Sequence, residues 1–235
     1  MVDITITTRR SELLEIKKII PKPAYKDIPK YFKNVPHTVE RGPQKFPDKT
    51  TIRHCPSFMD IFKEGIILYA HCDIYLKVTE KPEAENDYYW EVPPGSKFFL
   101  ETHDDDQFLN YFPKSKVKKV FKLVSPFELI VPRGYSLRQI PLIYDYNPDW
   151  HVAYGVYKAD INSEVVLQIM FTSDDDEVLI ESGTPLCYLV PYKRQKFNYK
   201  VKKYNKKFRK KFDVEFAKLH NSFVGSYRKN LKNEI

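Results

Sequence analysis

The sequence predicts a mainly β protein, an all-β barrel or sandwich with an extended N-terminal arm and a C-terminal amphipathic helix. Between Ile66 and Tyr192, short β-branched and aromatic runs alternate with turn residues. Ahead of them, prolines fall at 21, 23, 29, 36, 43 and 47. Behind them, the apolar period lengthens from two residues to three or four. The chain therefore divides into a proline-rich arm (1–50), a β domain (51–195) and a basic helical tail (196–235).

In the arm, Ile4-Thr5-Ile6 reads as a short strand and Ser11 to Ile20 as a helical turn. The prolines that follow block regular helix and disfavour a central strand, so the arm should wrap a neighbour or its own body. Ser57 to Glu64 has helical apolar spacing and ends at Gly65, a natural C-cap. Strand candidates follow at Ile66 to Val78, Tyr88 to Val92, Lys97 to Glu101, Val120 to Val131, Tyr135 to Ile140, His151 to Tyr157, Glu164 to Phe171, Glu177 to Glu181 and Pro185 to Tyr192. About nine strands at this spacing fit a sandwich or barrel. In the tail, Tyr204, Phe208, Phe212, Phe216, Leu219 and Phe223 form one face of a helix. Lys203, Lys206, Lys207, Arg209, Lys210 and Lys211 lie on the other.

Composition narrows the function. The 235 residues include only seven glycines, none closer than 21 residues to the next. The dinucleotide fingerprint, the P-loop, the kinase glycine loop and the nucleophile elbow all need closely spaced glycines, so these enzyme classes are disfavoured. The formal charge of +8 is unevenly spread. From Lys193 to Ile235, 15 basic residues face three acidic ones, a net of +12, while 24 basic and 28 acidic residues leave the rest at −4. Such a tail points to nucleic acid or another acidic surface as its partner, with Lys202, Lys203, Lys206, Lys207, Arg209, Lys210 and Lys211 as the contacting groups. No apolar run is long enough for a membrane helix and the first residues lack a signal-peptide pattern, so no membrane association is expected. Cys55, Cys72 and Cys187 are too few for a disulfide scaffold and fit a reducing setting.

Residues 124–194 resemble the homotrimeric dUTPase and dCTP deaminase β-fold. The likeness lies in Val131-Pro132-Arg133-Gly134-Tyr135, Gly155-Val156-Tyr157-Lys158-Ala159-Asp160, the strand Glu164 to Ile169, and Ile180 to Pro191. The resemblance implies a barrel and a homo-oligomer, a trimer in that family, but its chemistry does not carry over. Lys158 stands where the family has its water-activating aspartate, and a charged ammonium cannot deprotonate water. Asp160 matches only the second, structural acid. Ile161 replaces the base-stacking aromatic, Leu142-Ile143-Tyr144 the phosphate-binding Arg-Ser, and the lysine tail the glycine-rich closing loop. Thr51 to Phe58, Pro132 to Ser136 and Gly183 to Arg194 also resemble an uncharacterised protein family of large tailed phages. That likeness implies a phage origin, a place in the virion or the host cytoplasm, and other phage structural proteins as partners.

The remaining constellations read as structural. His54-Cys55 and His71-Cys72 cannot each aim both side chains at one metal from a strand, so buried cysteines are expected rather than a zinc site. His103 to Asp106 and Asp174 to Glu177 read as solvated hairpin tips. No local histidine motif identifies a base for Cys55 or Ser136. Neither cofactor nor metal is expected. The sequence thus predicts a non-enzymatic phage assembly protein, a virion component that engages neighbours or nucleic acid through arm and tail. One alternative is a nucleotide-acting enzyme, a dNTP hydrolase or deaminase-like protein, holding its ligand with Arg133, Lys158 and Asp160. Another is a host-directed nucleic-acid-binding regulator.

Overall fold

The computed structural model describes residues 2–39, 49–55, 60–80, 88–91, 99–104, 107, 116–145, 147–203, 205, 206, 209, 210 and 213. By its contacts the chain forms two units, Met1–Arg194 and Gln195–Ile235. The first is mainly β, built from antiparallel pairs, and its described residues contain no long helix and no closed barrel. Its strands are β1 (Thr5–Thr8), β2 (Lys22–Pro23), β3 (Thr38–Val39), β4 (Lys49–Thr50), β5 (Ile66–Tyr69), β6 (Ile74–Glu80), β7 (Tyr88–Glu91) and β8 (Leu100–Thr102). There follow β9 (Lys119–Val124), β10 (Phe127–Ile130), β11 (Tyr135–Pro141), β12 (Trp150–Val152), β13 (Gly155–Tyr157), β14 (Val166–Phe171), β15 (Glu177–Ile180) and β16 (Pro185–Lys193).

Three sheets enclose the main core: β13-β11-β16-β5-β2, β12-β14-β9-β8 and β15-β6-β7. Inward positions follow the period of two that strands impose. Leu167, Ile169 and Phe171 of β14 are buried between half-buried neighbours, and Ile74, Leu76 and Val78 alternate the same way on β6. Phe121 and Leu123 of β9, Leu137 of β11 and Leu189 of β16 complete the same cluster.

Two strands of the five-stranded sheet, β5 and β16, are buried on both faces over their middle residues. Ile66-Ile67-Leu68-Tyr69 and Leu186-Cys187-Tyr188-Leu189 are buried without alternation, as a strand covered on two sides should be. The second cover is the arm. Ala24 and Phe32 join Phe62 over Ile67, Tyr69 and Tyr188, with the Phe32 and Phe62 rings 4.6 Å apart. Each buried ring contributes on the order of 1.5–3 kcal/mol. β1 pairs with β10 and β2 with β5, so the arm's described residues wrap their own body.

Three expected strands are each broken in two, His151 to Tyr157 at Ala153-Tyr154 between β12 and β13. Ile66 to Val78 is interrupted at Ala70–Asp73, where the Gly183 N–H donates to the Ala70 carbonyl and Asp73 Oδ1 accepts the Ser182 N–H, each at 2.7 Å. Val120 to Val131 breaks at Ser125-Pro126, where the Ser125 hydroxyl accepts the Phe127 N–H. The expected helix before Gly65 leaves only a short helical turn at Asp60 and Ile61 among the described residues. Gly65 has φ +75, and a Cβ there would collide with the Leu189 carbonyl. Only glycine permits both that conformation and that approach.

In the second unit, Gln195 to Lys203 carries no helix, strand or turn. The aromatic stripe expected of the tail helix (Tyr204, Phe208, Phe212, Phe216, Leu219, Phe223) lies outside the described residues.

Candidate functional site

The resemblance-bearing turns meet at one point. Pro132 to Gly134 forms a tight turn, closed by the Tyr135 N–H on the Pro132 carbonyl at 3.0 Å. Gly134 holds φ +87, which aims its N–H at Asp160 Oδ2, 2.9 Å away. Asp160 sits in a second turn, in which the Ile161 and Asn162 N–H groups donate to the Lys158 carbonyl. From the end of β16, Arg194 Nη1 donates to Asp160 Oδ1 at 2.7 Å and Nη2 to Oδ2 at 2.5 Å. Nη1 also donates to the Tyr135 carbonyl at 2.7 Å and to Ser136 Oγ at 2.8 Å. The Arg194 N–H donates to the Gly134 carbonyl at 2.8 Å.

This arrangement fixes the protonation state of Asp160. Its side chain is 3% exposed, and both oxygens accept hydrogen bonds. The Arg194 guanidinium, helped by the Gly134 N–H, holds its carboxyl well below the usual carboxylate range. A carboxylate so stabilised is a poor proton acceptor at neutral pH. The exposed side chains of Arg133 and Lys158 enter no hydrogen bond or ion pair of this cluster. Of the three residues expected to form a ligand pocket, only Asp160 is built into the structure, and its partner is Arg194. Ser136, considered above as a nucleophile, is fully buried and accepts from the same guanidinium.

A second buried polar network joins two sheets. Gln139 of β11 is completely buried; its Nε2 donates to the Ala153 carbonyl, and its Oε1 accepts from the Tyr157 hydroxyl at 2.7 Å. That hydroxyl also approaches the Val166 carbonyl on β14. Burial raises the Tyr157 phenol well above its usual value, so it stays a neutral donor.

Two clefts lie elsewhere. One, of about 640 Å³, is lined by Lys116, Asp149, His151, Met170, Asp174 and Asp175 among others. His151 and Met170 face each other across β12 and β14, and Ser173 Oγ donates to Asp149 at 2.8 Å. Burial lowers the His151 pKa, so the cleft carries net negative charge at neutral pH and suits a cation better than a bare phosphate. The other, of about 430 Å³, lies between the arm and the five-stranded sheet and is lined by Asp27, Tyr69, Asp145 and Tyr188 among others. There the Tyr69 hydroxyl donates to Asp27 at 2.6 Å, and burial raises the Asp145 carboxyl. Neither cleft includes Arg133, Lys158 or Asp160. Local sequence carries no signal for either, because their residues converge only through strand pairing; the acidic run at Asp174 by itself reads as a hairpin tip.

Among the described residues, no three His, Cys, Asp or Glu side chains gather as a metal site would require. Cys55 is exposed, Cys72 half-buried and Cys187 buried, all as free thiols. No helix of the described residues is long and apolar enough to cross a membrane. On the tail, Lys202, Lys203, Lys206, Arg209 and Lys210 are exposed, and Arg209 pairs with Asp213 at 2.9 Å. Lys207 and Lys211 lie outside the described residues.

No protein-family model and no curated protein matches the chain. Among solved structures, the 2'-deoxycytidine 5'-triphosphate deaminase of Agrobacterium tumefaciens is similar over 51% of this chain at 17% identity, with a TM-score of 0.29. The chain spans about a third (36%) of that protein's length.

Proposed function

We propose that the protein is a non-enzymatic assembly subunit, a phage virion component whose β body is kept for shape and contact rather than for chemistry. The observation that carries this reading is the state of Asp160. Its carboxylate is consumed by Arg194 and Gly134, while Lys158 occupies the position at which the resembled family activates water. Self-association is supported by β13, an edge strand on which Val156, and beside which Tyr154 and Ile161, expose large apolar side chains. The basic tail supplies contacts to neighbours or to nucleic acid.

Incubation with the four deoxynucleoside triphosphates, with and without magnesium, tests the non-enzymatic part. No turnover is expected. Turnover that disappears in a folded Asp160→Asn variant would overturn the reading in favour of an enzyme with a rearranged site. A solution mass measurement tests self-association, with a homo-oligomer expected, a trimer if the family resemblance extends to assembly. Detection of the chain in purified particles separates a virion component from a host-directed regulator.

A further inference from the structure

We infer that Gln195–Lys203 is a binding strip for single-stranded nucleic acid, with Phe197 and Tyr199 stacking on bases and Lys196, Lys200, Lys202 and Lys203 contacting phosphates. The inference rests on the reading that the tail meets a polyanion, and it names which polyanion and which groups. Phe197 is 82% exposed and Tyr199 81%, and Val201 beyond them is exposed too. The segment has no helix, strand, turn or bend. Phe197 and Tyr199 are separated by one residue, and Lys196, Lys200, Lys202 and Lys203 flank them along the chain.

Charge alone would serve any acidic partner; the rings select among partners. An acidic protein surface offers carboxylates to the lysines but no regular array of π-faces to the rings. Duplex DNA meets lysines through its phosphates and keeps its base faces stacked inside. A single strand offers both an anionic backbone and free base faces, the combination that basic grooves with aromatic platforms recognise. An anionic bilayer could take rings and lysines together, but three apolar residues in nine, in a tail whose net charge is +12, form a small apolar face for insertion. The tyrosine just upstream is occupied otherwise: Tyr192 lies under the Arg138 guanidinium, 4.9 Å from its ring centre.

The test is fluorescence anisotropy with the full chain and labelled oligo-dT, oligo-rU, a DNA duplex of equal length, and phosphatidylserine vesicles, across a salt series. The expected result is tighter binding to both single strands than to duplex or vesicles. The dT and rU arms show whether DNA or RNA is preferred. Phe197→Ala and Tyr199→Ala should each weaken single-strand binding roughly 5- to 100-fold while leaving the salt slope and duplex affinity unchanged. Replacing Lys196, Lys200, Lys202 and Lys203 by Gln should flatten the slope of log K against log salt by about 0.7 for each phosphate no longer neutralised. Equal affinity for single strand and duplex, unaltered by the aromatic variants, would overturn stacking and leave a plain polycation. Preference for vesicles would overturn the choice of ligand. Absence of binding to every probe at low salt would overturn both this inference and the polyanion reading beneath it.

Discussion

The guanidinium of Arg194 donates four hydrogen bonds to Tyr135, Ser136 and Asp160, whereas three residues later the ring of Phe197 has 82% of its surface in water. At Arg194 a polar group is half-buried, and its guanidinium is partnered by Tyr135, Ser136 and Asp160. At Phe197 and Tyr199, large apolar groups sit where water is not excluded, and among the described residues nothing covers them. Burying such a ring would contribute about 1.5–3 kcal/mol. Folding forgoes that here, so stability gives no reason for the alternation of rings and lysines. The two stretches teach which residues answer to the fold and which answer to a partner.

The strongest way to break the comparison is Arg194→Ala. It leaves the Asp160 carboxylate, 3% exposed beneath the guanidinium, without its charged partner, and removing one partner of a sheltered ion pair costs more than the pair contributes. The expected fall in melting temperature exceeds that of every other substitution named here, with near-UV circular dichroism reporting the loosened packing. The double variant with Asp160→Asn should lose less than the sum of the two single changes, because both act on one contact. A simple sum would show that the pair is not coupled.

Next in size is Gln139→Ala. The amide is fully buried between β11, β13 and the residues before β13, so its removal opens a cavity and strips partners from the Ala153 carbonyl and the Tyr157 hydroxyl. A loss of about 2–4 kcal/mol is expected in urea melts. A loss below about 1 kcal/mol would mean that water replaces the amide.

These two sites also mark how far the sequence could be read. The strands were legible because alternation and β-branched runs are local signals, as at Val166–Phe171. The break after Tyr69 was not, since His71-Cys72-Asp73 contains neither glycine nor proline. Its turn is stabilised from afar, by Asp73 accepting from Ser182. Asp160 was legible as a structural acid through the family resemblance, and the turn at Gly134 through its glycine. Arg194 was not legible as the partner, because 34 residues separate it from Asp160 and only the β11–β16 pairing brings it back. Gln139 gave no signal, because a glutamine inside a strand pattern reads as an outward residue. The clefts at Asp149 and Asp145 depend wholly on which strands are neighbours. What sequence shows is period and turn chemistry; what it hides is long-range polar pairing.

Titration sharpens the comparison further. Burial, helped by Arg10, lowers the His71 pKa to about 4 in the folded state, against about 6.5 unfolded. The unfolded chain therefore binds the proton first. Stability is complete above about pH 6.5 and is lost as pH falls toward 4, by roughly 3 kcal/mol in all. His151, lowered in the same direction by burial, adds to that slope. Asp160 acts in a different window. Its folded pKa is depressed below the unfolded value of about 3.9, so its contribution is present above that pH and disappears only as pH falls below it. Urea melts between pH 7 and 3 should show the first phase and only the onset of the second. His71→Phe, which keeps a ring against Phe99, should shrink the first phase and spare the second. An unchanged first phase would assign it to His151.

The smallest expected effect on stability carries as much weight as the largest. Phe197→Ala and Tyr199→Ala remove exposed rings that meet nothing in the described residues, so the melting free energy should stay within about 0.5 kcal/mol of the parent. Were these rings covered within the monomer, or within a stable oligomer, each truncation would cost about 3 kcal/mol or more, as for a buried aromatic. The melt therefore decides whether the strip is free before any ligand is added. A null effect on melting together with weakened single-strand binding places the rings at an interface that forms only with the partner. A large effect on melting would move them to the side of Arg194, as residues that answer to the fold.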